Sequence, residues 1–202
     1  MQRKSRKGRV TKNEREPSEA QPILGQRGKE TQPYGTLVYY PIDLKERTRT
    51  ENVAALNQIL SDTMALRDMY KKHHWQVSGP TFYQLHLLFD KHYEEQVRLM
   101  DLIAERVQTL GGITLAMPHD VAETTCIERP PRGREQVPVQ LSRLVAAHTV
   151  IIKASRALAR QSAANGDDAT NNLVASEVLP VHELQVWFLS EHLVDTPLVR
   201  AR

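Results

Sequence analysis

The chain is poor in cysteine and in long apolar runs. Cys126 is the only cysteine among 202 residues, so neither an intrachain disulfide nor a paired-thiolate metal site can form. No apolar run is long enough to span a bilayer, and no apolar segment of a secretion signal follows the basic N-terminus. These absences predict a soluble protein of a reducing cytoplasm, without a membrane partner.

Patterns typical of β-strands are also scarce. Hydrophobic residues make up 40% of the chain but aromatic residues only 5%, and alternating Val-rich runs are few. Once a charged N-terminal arm is set aside, about 150 residues remain, which is the size of one ordinary domain. The composition therefore predicts a single all-α domain.

Acidic residues are missing from the start of the chain. The formal net charge of +3 is too small for the whole chain to be a nucleic-acid binder. The stretch before Glu14, however, contains six basic side chains and no acid: Arg3, Lys4, Arg6, Lys7, Arg9 and Lys12. We interpret residues 1–45 as a basic arm, disordered because it lacks hydrophobic periodicity, whose more apolar part at 33–43 lies extended across the domain surface.

Residues 46–194 have the apolar periodicity of a four-helix bundle, and 195–202 form a short tail. The predicted helices are 46–77, 82–110, a short helix at about 119–124 within a long connection, 136–164, and a last helix from 167 or 168 to about 193. Gly79 and Gly111 mark helix ends, and Asp167 or Asp168 caps the last helix. Pro180 should kink that helix because proline has no amide donor and crowds the preceding turn.

Imidazole and carboxylate side chains flank the apolar face of the second helix. Pairs at i, i+4 share one helix face, and a His-Trp pair ends helix one. The candidate ligands are His74, His86, Asp90, Asp101 and Glu105. Each alone is more commonly a solvent-facing residue. Together they indicate a site for iron or manganese, since no thiolate is available for softer metals.

The spacing of these residues limits how they bind an ion. Asp90 and Asp101 are eleven residues apart, about 16 Å along a helix, so one ion cannot bind both in one chain. Two copies of this helix packed antiparallel about a twofold axis would bring the two ends together. An intrachain di-iron site needs Glu-x-x-His motifs, and none occurs in this sequence.

The stretch from Lys71 to Gly112 resembles the Dps family, DNA-binding proteins from starved cells. It contains in order the elements HW, G-x-x-F, LH-x-x-x-D and D-x-x-AER-x-x-x-LGG. The resemblance implies a ferritin-like bundle over 46–194, a hollow shell of twelve subunits, and oxidation of ferrous iron, preferentially by hydrogen peroxide, to a stored ferric mineral. It implies that His74, His86 and Asp90 of one subunit and Asp101 and Glu105 of its neighbour are iron ligands or support them.

Some details of the site stay open. His73 is expected to be an extra surface histidine, with a ligand role as the alternative. Trp75 is either a core aromatic or lies against the site and takes up an oxidising equivalent. Zinc or manganese is the alternative occupant in the isolated protein.

One departure from the family concerns iron uptake. Related shells have acidic threefold pores, yet residues 136–166 contain no Asp or Glu. The possible substitutes are Asp167, Asp168, Glu123, Glu128 and Glu135.

Twelve basic arms acting together predict non-specific, salt-dependent DNA binding and a nucleoid-associated protein that protects DNA from oxidative damage. A nucleoid-compacting protein whose metal sites only brace a dimer is the competing hypothesis. A ferritin-like enzyme acting on a small substrate is a third.

Overall fold

The computed structural model describes residues 30–195. The chain divides into two units, 1–31 and 32–202, and the second contains all helices of the described part. These are α1 (Glu46–Gln76), α2 (Phe82–Thr109), α3 (Pro118–Thr124), α4 (Val137–Ala164), α5 (Asp168–Leu173) and α6 (Leu179–Glu191). No strand occurs between residues 30 and 195. The predicted all-α bundle with a short helix in its long connection is confirmed, whereas the six basic residues of the arm lie outside the described residues.

Helices α1 and α2 form an antiparallel pair joined by a short turn. The end of α1 meets the start of α2 at His74 and His86, and Arg49 near the start of α1 donates to the carbonyl of Leu110 after α2, at 3.2 Å. The chain turns at Gly111 with φ +86°, where a Cβ would collide with the carbonyl of Val38. Only glycine fits there, and Val38 donates to the Gly111 carbonyl at 2.8 Å, which holds segment 33–43 against this turn.

The long connection between α2 and α4 is attached to α1 by a buried carboxylate. Asp62 is 1% exposed and accepts hydrogen bonds from the Thr125 hydroxyl at 2.8 Å and from the Cys126 amide at 2.7 Å. Because a buried carboxylate must find donors, this contact fixes where the connection crosses α1.

Asp167 is the N-cap of α5, with which the predicted last helix begins. It is one of the two caps that the sequence predicted. Its carboxylate accepts from the Thr170 amide at 3.0 Å, from Asn52 at 2.7 Å and from the Arg106 guanidinium at 2.5 Å. These hydrogen bonds hold the pKa of Asp167 below its usual value although its burial opposes them. The cap therefore also ties α1 and α2 to the start of α5.

The predicted disturbance near Pro180 takes the form of a π-helical turn. Residues Val174–Val178 form this wider turn between α5 and α6, and Pro180 lies in the first turn of α6. A proline is tolerated at a helix start, where its missing N–H has no intrahelical partner. The π turn lets the last helix continue past Pro180 into the bundle.

The core combines an apolar majority with a buried polar centre. Fully buried apolar side chains come from every long helix, among them Leu60, Phe89, Ile103, Leu144 and Leu189. Fully buried polar side chains also point inward from four helical segments: Tyr70, His92, Gln96, His148, His182 and Gln185. Between residues 30 and 195 no helix is both long and apolar enough to cross a membrane.

Candidate metal centre

His74 and His86 face each other where α1 ends and α2 begins. Their rings stack with centroids 3.7 Å apart. The Nδ1 atom of His74 donates to the His86 carbonyl at 2.8 Å, and the Nδ1 atom of His86 donates to the His74 carbonyl at 3.0 Å. A histidine whose Nδ1–H is held by a carbonyl presents its unprotonated Nε2, the usual arrangement for a metal ligand. The backbone thus fixes both tautomers.

Asp90 adds a carboxylate to this histidine pair. Its Oδ1 atom lies 3.8 Å from the Nδ1 atom of His74, and the ammonium group of Lys71 donates directly to it. The hydrogen bond from Lys71 lowers the pKa of Asp90, and the nearby His74 and His86 lower it further against the effect of burial. We call His74, His86 and Asp90 the histidine cluster. Its negative charge lies on Asp90, which already attracts one cation, the ammonium group of Lys71.

Asp101 and Glu105 lie farther along α2, and both are exposed. Between residues 30 and 195 no three His, Cys, Asp or Glu side chains converge closely enough to hold a metal ion. The structure places His74 against His86 and Asp90 beside His74, but not closely enough for the three to hold an ion as they stand. It leaves Asp101 and Glu105, the carboxylate pair, away from them within one chain. This separation is the one expected from the helix rise.

An exposed stripe on α2 links the two groups, and the sequence alone did not single it out. Its members follow one another at intervals of three or four residues: Tyr83, Leu87, Asp90, Glu94, Val97 and Asp101. Tyr83, Leu87 and Val97 are 68%, 50% and 42% exposed. Large apolar side chains on one exposed face mark a surface that binds another protein surface. We call these residues the α2 stripe.

Of the two neighbours of His74, His73 differs from its expectation, and for Trp75 one of the two alternatives is excluded. His73 was expected at the surface, but it is fully buried and neither ring nitrogen has a hydrogen-bond partner in the described residues. Burial lowers its pKa to about 4, so it is a neutral core side chain near Phe89. Trp75 is 70% exposed and hence is not a core aromatic of the chain.

The acidic residues suggested as substitutes for a pore also separate. Asp167 is only 1% exposed and is engaged as the helix cap. Glu135 pairs with Arg143 through its two oxygens at 2.8 Å. Neither carboxylate is free for iron, which leaves the exposed Asp168, Glu123 and Glu128 as candidates.

The histidines at the centre of the bundle were not among the candidate functional residues of the sequence. His92 lies between Phe89 and Gln96 on the inward face of α2, and its spacing from Leu85 and Leu99 assigns it to the apolar face. This spacing was a signal in the sequence from which the burial of His92 could have been predicted. His148 and His182, from α4 and α6, are also fully buried.

These side chains form one hydrogen-bonded core network: Tyr70, His92, Glu95, Gln96, His148, His182 and Gln185. The Tyr70 hydroxyl lies 2.5 Å from the Nε2 atom of His148 and 3.1 Å from the Nδ1 atom of His92. The Nδ1 atoms of His148 and His182 are 2.8 Å apart. Gln185 accepts from Gln96 at 2.9 Å and donates to Glu95 at 2.6 Å.

Burial keeps the histidines of this network neutral. It lowers the pKa of His92 to about 4 and that of His182 to about 3, and it lowers the pKa of His148 well below its usual value. Burial also raises the pKa of Tyr70 well above its usual range. Removal from water disfavours the charged form of each group.

Comparison with known proteins agrees with the fold. The sequence model of a family described as a ferritin-like domain matches residues 53–199. An uncharacterized protein of Kitasatospora aureofaciens is 47% identical over 148 residues, covering 73% of this chain and 99% of the relative. A nutrient stress-induced DNA-binding protein of Nostoc is 32% identical over 167 residues, covering 83% of this chain and 90% of the relative.

Among solved structures, DpsC from Streptomyces coelicolor superposes with a TM-score of 0.84 at 51% sequence identity, covering 85% of this chain and 100% of that one. The helical bundle and the matched domain define the class of ferritin-like proteins. This chain belongs to the Dps family within that class.

Proposed function

We propose that this protein is a Dps-type miniferritin that oxidises ferrous iron and stores the ferric product in a hollow shell of twelve subunits. The observation that carries the proposal is the division of the candidate ligands into two groups, one at each end of α2, with His74 added to the first group from the end of α1. The histidine cluster lies at the start of α2 and the carboxylate pair lies exposed toward its end. Among the described residues, neither group by itself converges closely enough to hold an ion.

A second copy of the chain would complete both groups. If two α2 helices pack antiparallel along the α2 stripe, the histidine cluster of one subunit faces the carboxylate pair of the other. The exposed Tyr83, Leu87 and Val97 supply apolar contact area for this pairing. Two equal iron sites then form at one twofold interface.

The ligand types suit the oxidation of ferrous iron. The carboxylates of Asp90, Asp101 and Glu105 favour the ferric state, and the imidazoles of His74 and His86 keep affinity for ferrous iron. Two ferrous ions held close each give one electron to hydrogen peroxide, so that two protons and one peroxide become two waters. Pairing the electrons avoids release of a hydroxyl radical, which is how the reaction would protect DNA.

The basic arm is proposed to bind DNA through its phosphates. Its six cationic side chains, multiplied over twelve subunits, would give non-specific, salt-dependent binding in the cytoplasm at the nucleoid. The name of the Nostoc relative, a DNA-binding protein, supports this role. A variant lacking residues 2–29, which keeps the Gln32 contact with Gly111, should lose DNA retardation at low salt and keep iron oxidation. Equal retardation by both proteins would refute the arm's role.

The central experiment measures ferric iron formation after hydrogen peroxide is added to anaerobic protein with excess ferrous iron. The Asp101→Ala/Glu105→Ala variant should oxidise iron at least about a hundredfold more slowly than the wild type, because each site loses two ligands. An Asp68→Ala/Glu51→Ala variant, which removes two acids outside the proposed centre, is the matched control. Equal rates in all three proteins would favour the competing hypothesis of a DNA-compacting protein with bracing metal sites.

Mixed shells test whether the site is shared. A His86→Ala/Asp90→Ala protein and the Asp101→Ala/Glu105→Ala protein should each be inactive, yet subunits refolded together in equal amounts should regain about one quarter of the wild-type sites, because half of the dimers then contain one intact site. An intrachain site predicts no recovery.

A further inference from the structure

The core network lies behind the candidate metal centre, on the opposite face of the same helical segments. Tyr70 directly precedes Lys71, the residue that donates to Asp90. The Tyr70 ring is 6.1 Å from that of Phe89, which directly precedes Asp90. Since a helix with its side chains is about 10–12 Å across, the phenol and the metal centre are separated by roughly one helix thickness. An electron can move directly over such a separation.

Packing alone does not account for the Tyr70 hydroxyl. Tyr70 is completely buried, and a phenylalanine would fill nearly the same space without requiring polar partners. Instead, His92, His148 and Gln185 all lie within hydrogen-bond distance of the hydroxyl. The fold thus surrounds one phenol with three polar side chains from α2, α4 and α6.

The distances indicate where the protons lie. The shortest contact of the Tyr70 hydroxyl is to the Nε2 atom of His148, at 2.5 Å. If Tyr70 donates to this nitrogen, His148 donates from Nδ1 to His182, and His92 donates from Nδ1 to Tyr70. Gln185 already accepts from Gln96. With this assignment, each contact among Tyr70, His92, His148 and His182 has one donor and one acceptor, and the single phenolic proton is not donated to Gln185, 3.3 Å away.

A phenol next to a free imidazole is suited to losing an electron. One-electron oxidation makes the phenolic proton strongly acidic, so the reaction needs a base already in hydrogen-bond contact. The pKa shifts described above keep Tyr70 protonated and His148 unprotonated before the reaction. The buried surroundings also protect the product radical from solvent.

We propose that Tyr70 is a redox-active tyrosine that supplies the second electron to hydrogen peroxide when only one ferrous ion is bound at the centre, its proton passing to the Nε2 atom of His148. This inference rests on the proposed iron oxidation. One ferrous ion would otherwise give peroxide a single electron and release a hydroxyl radical. Tyr70 would prevent that release during the first stage of loading.

The reaction balances as follows: H2O2, Fe2+, Tyr–OH, neutral His and two H+ from solvent give two H2O, Fe3+, the radical Tyr–O• and HisH+. The peroxide O–O bond breaks, and the two electrons come from Fe2+ and from the phenol. A second ferrous ion then reduces the radical, and the proton returns from His148 to Tyr70. The chain regains its starting state with two ferric ions formed.

The test loads anaerobic shells with one ferrous ion per site, adds one equivalent of hydrogen peroxide, and freezes samples on the millisecond scale for electron paramagnetic resonance. The wild type should show a tyrosyl radical, and Tyr70→Phe should lose it. The exposed Tyr39 provides a matched control, Tyr39→Phe, which should keep the radical, as should Trp75→Phe. With two ferrous ions per site, Tyr70→Phe should oxidise iron at the wild-type rate.

A second measurement covers the case in which Tyr70→Phe does not assemble. Wild-type protein grown with ring-deuterated tyrosine should give a narrowed signal, and His148→Gln should delay its appearance because the base is weakened. An unchanged signal in Tyr70→Phe, or a signal that the label does not narrow, overturns the inference. Ferric iron without a tyrosyl radical overturns this inference alone, whereas no ferric iron at either loading overturns the proposed function and this inference with it.

Discussion

Two histidine pairs in this chain contrast closely in chemistry and setting. His74 and His86 stack near the surface with each Nδ1 held by a backbone carbonyl. His148 and His182 meet in the bundle centre through their own ring nitrogens. The first pair keeps both Nε2 atoms free of backbone contacts, while in the second pair the ring nitrogens contact each other and the Nε2 atom of His148 contacts the Tyr70 hydroxyl. Identical residues thus differ in the contacts that their ring nitrogens make, because of what surrounds them.

The same contrast extends to the carboxylates and hydroxyls around each pair. Near the surface, Asp90 meets one ammonium group and is 40% exposed. In the centre, Tyr70 meets three partners and is fully buried. Buried polar groups cost stability when a partner is removed, whereas exposed groups are re-solvated by water. Mutations in the centre should therefore change stability, and mutations in the exposed groups should change metal chemistry.

The largest expected effect is on stability, from truncation at the centre. Tyr70→Ala should lower the free energy of unfolding by about 4 kcal/mol, since it opens a large cavity and leaves the Nε2 atom of His148 and the Nδ1 atom of His92 without a partner. Asp101→Ala should change it by less than about 0.5 kcal/mol. Urea unfolding at one fixed protomer concentration measures both. Similar losses in the two variants would break the contrast between centre and surface.

Acid should destabilise the centre before it affects most carboxylates. The folded pKa values are about 4 for His73 and His92 and about 3 for His182, against about 6.5 in an unfolded chain. Between these values the unfolded chain binds more protons. Stability is therefore complete above about pH 6.5 and falls toward pH 4, by roughly 1.4 kcal/mol per pH unit for each fully titrating histidine.

Urea unfolding at pH 7.5, 6 and 5 measures this slope. His92→Gln should reduce it by about one histidine's contribution, while His119→Gln, which changes an exposed residue, should leave it unchanged. Constant stability between pH 7.5 and 5 would mean that the central histidines bind protons in the folded protein as readily as in the unfolded chain.

A smaller effect is expected at the exposed cluster. Lys71→Met removes the ammonium group that lowers the pKa of Asp90, so the carboxylate no longer has an internal cation competing with a metal. Zinc, which has no redox chemistry, should bind about tenfold more tightly by titration calorimetry. Lys72→Met is the matched control, because Lys72 contacts Gln76 and Gly133 instead. Weaker zinc binding to Lys71→Met would indicate that Lys71 positions Asp90 for the metal.

Most of the fold could be predicted from the sequence because the signals that start, continue and end a helix are local. Apolar periodicity, glycine stops and the Asp167 cap act within one or two turns, so helix bounds agree with the structure to within about three residues. Whether a single histidine is buried or exposed could not be predicted from such local signals. His73 was expected at the surface, and its burial depends on Phe89, a residue of another helix. The π turn before Pro180 was likewise not predicted from the apolar pattern.

By itself, the sequence determined that the chain is a helical bundle and that one helix carries two ligand groups too far apart for a single ion, because helix rise is the same in every context. Only the tertiary structure decided which histidines have their Nδ1 atoms held by backbone carbonyls near the surface and which are buried in the core. That decision rests on contacts between residues distant in sequence, such as Tyr70 with His148 and with Gln185. Burial then changes the proton affinity of each group, which no local pattern records.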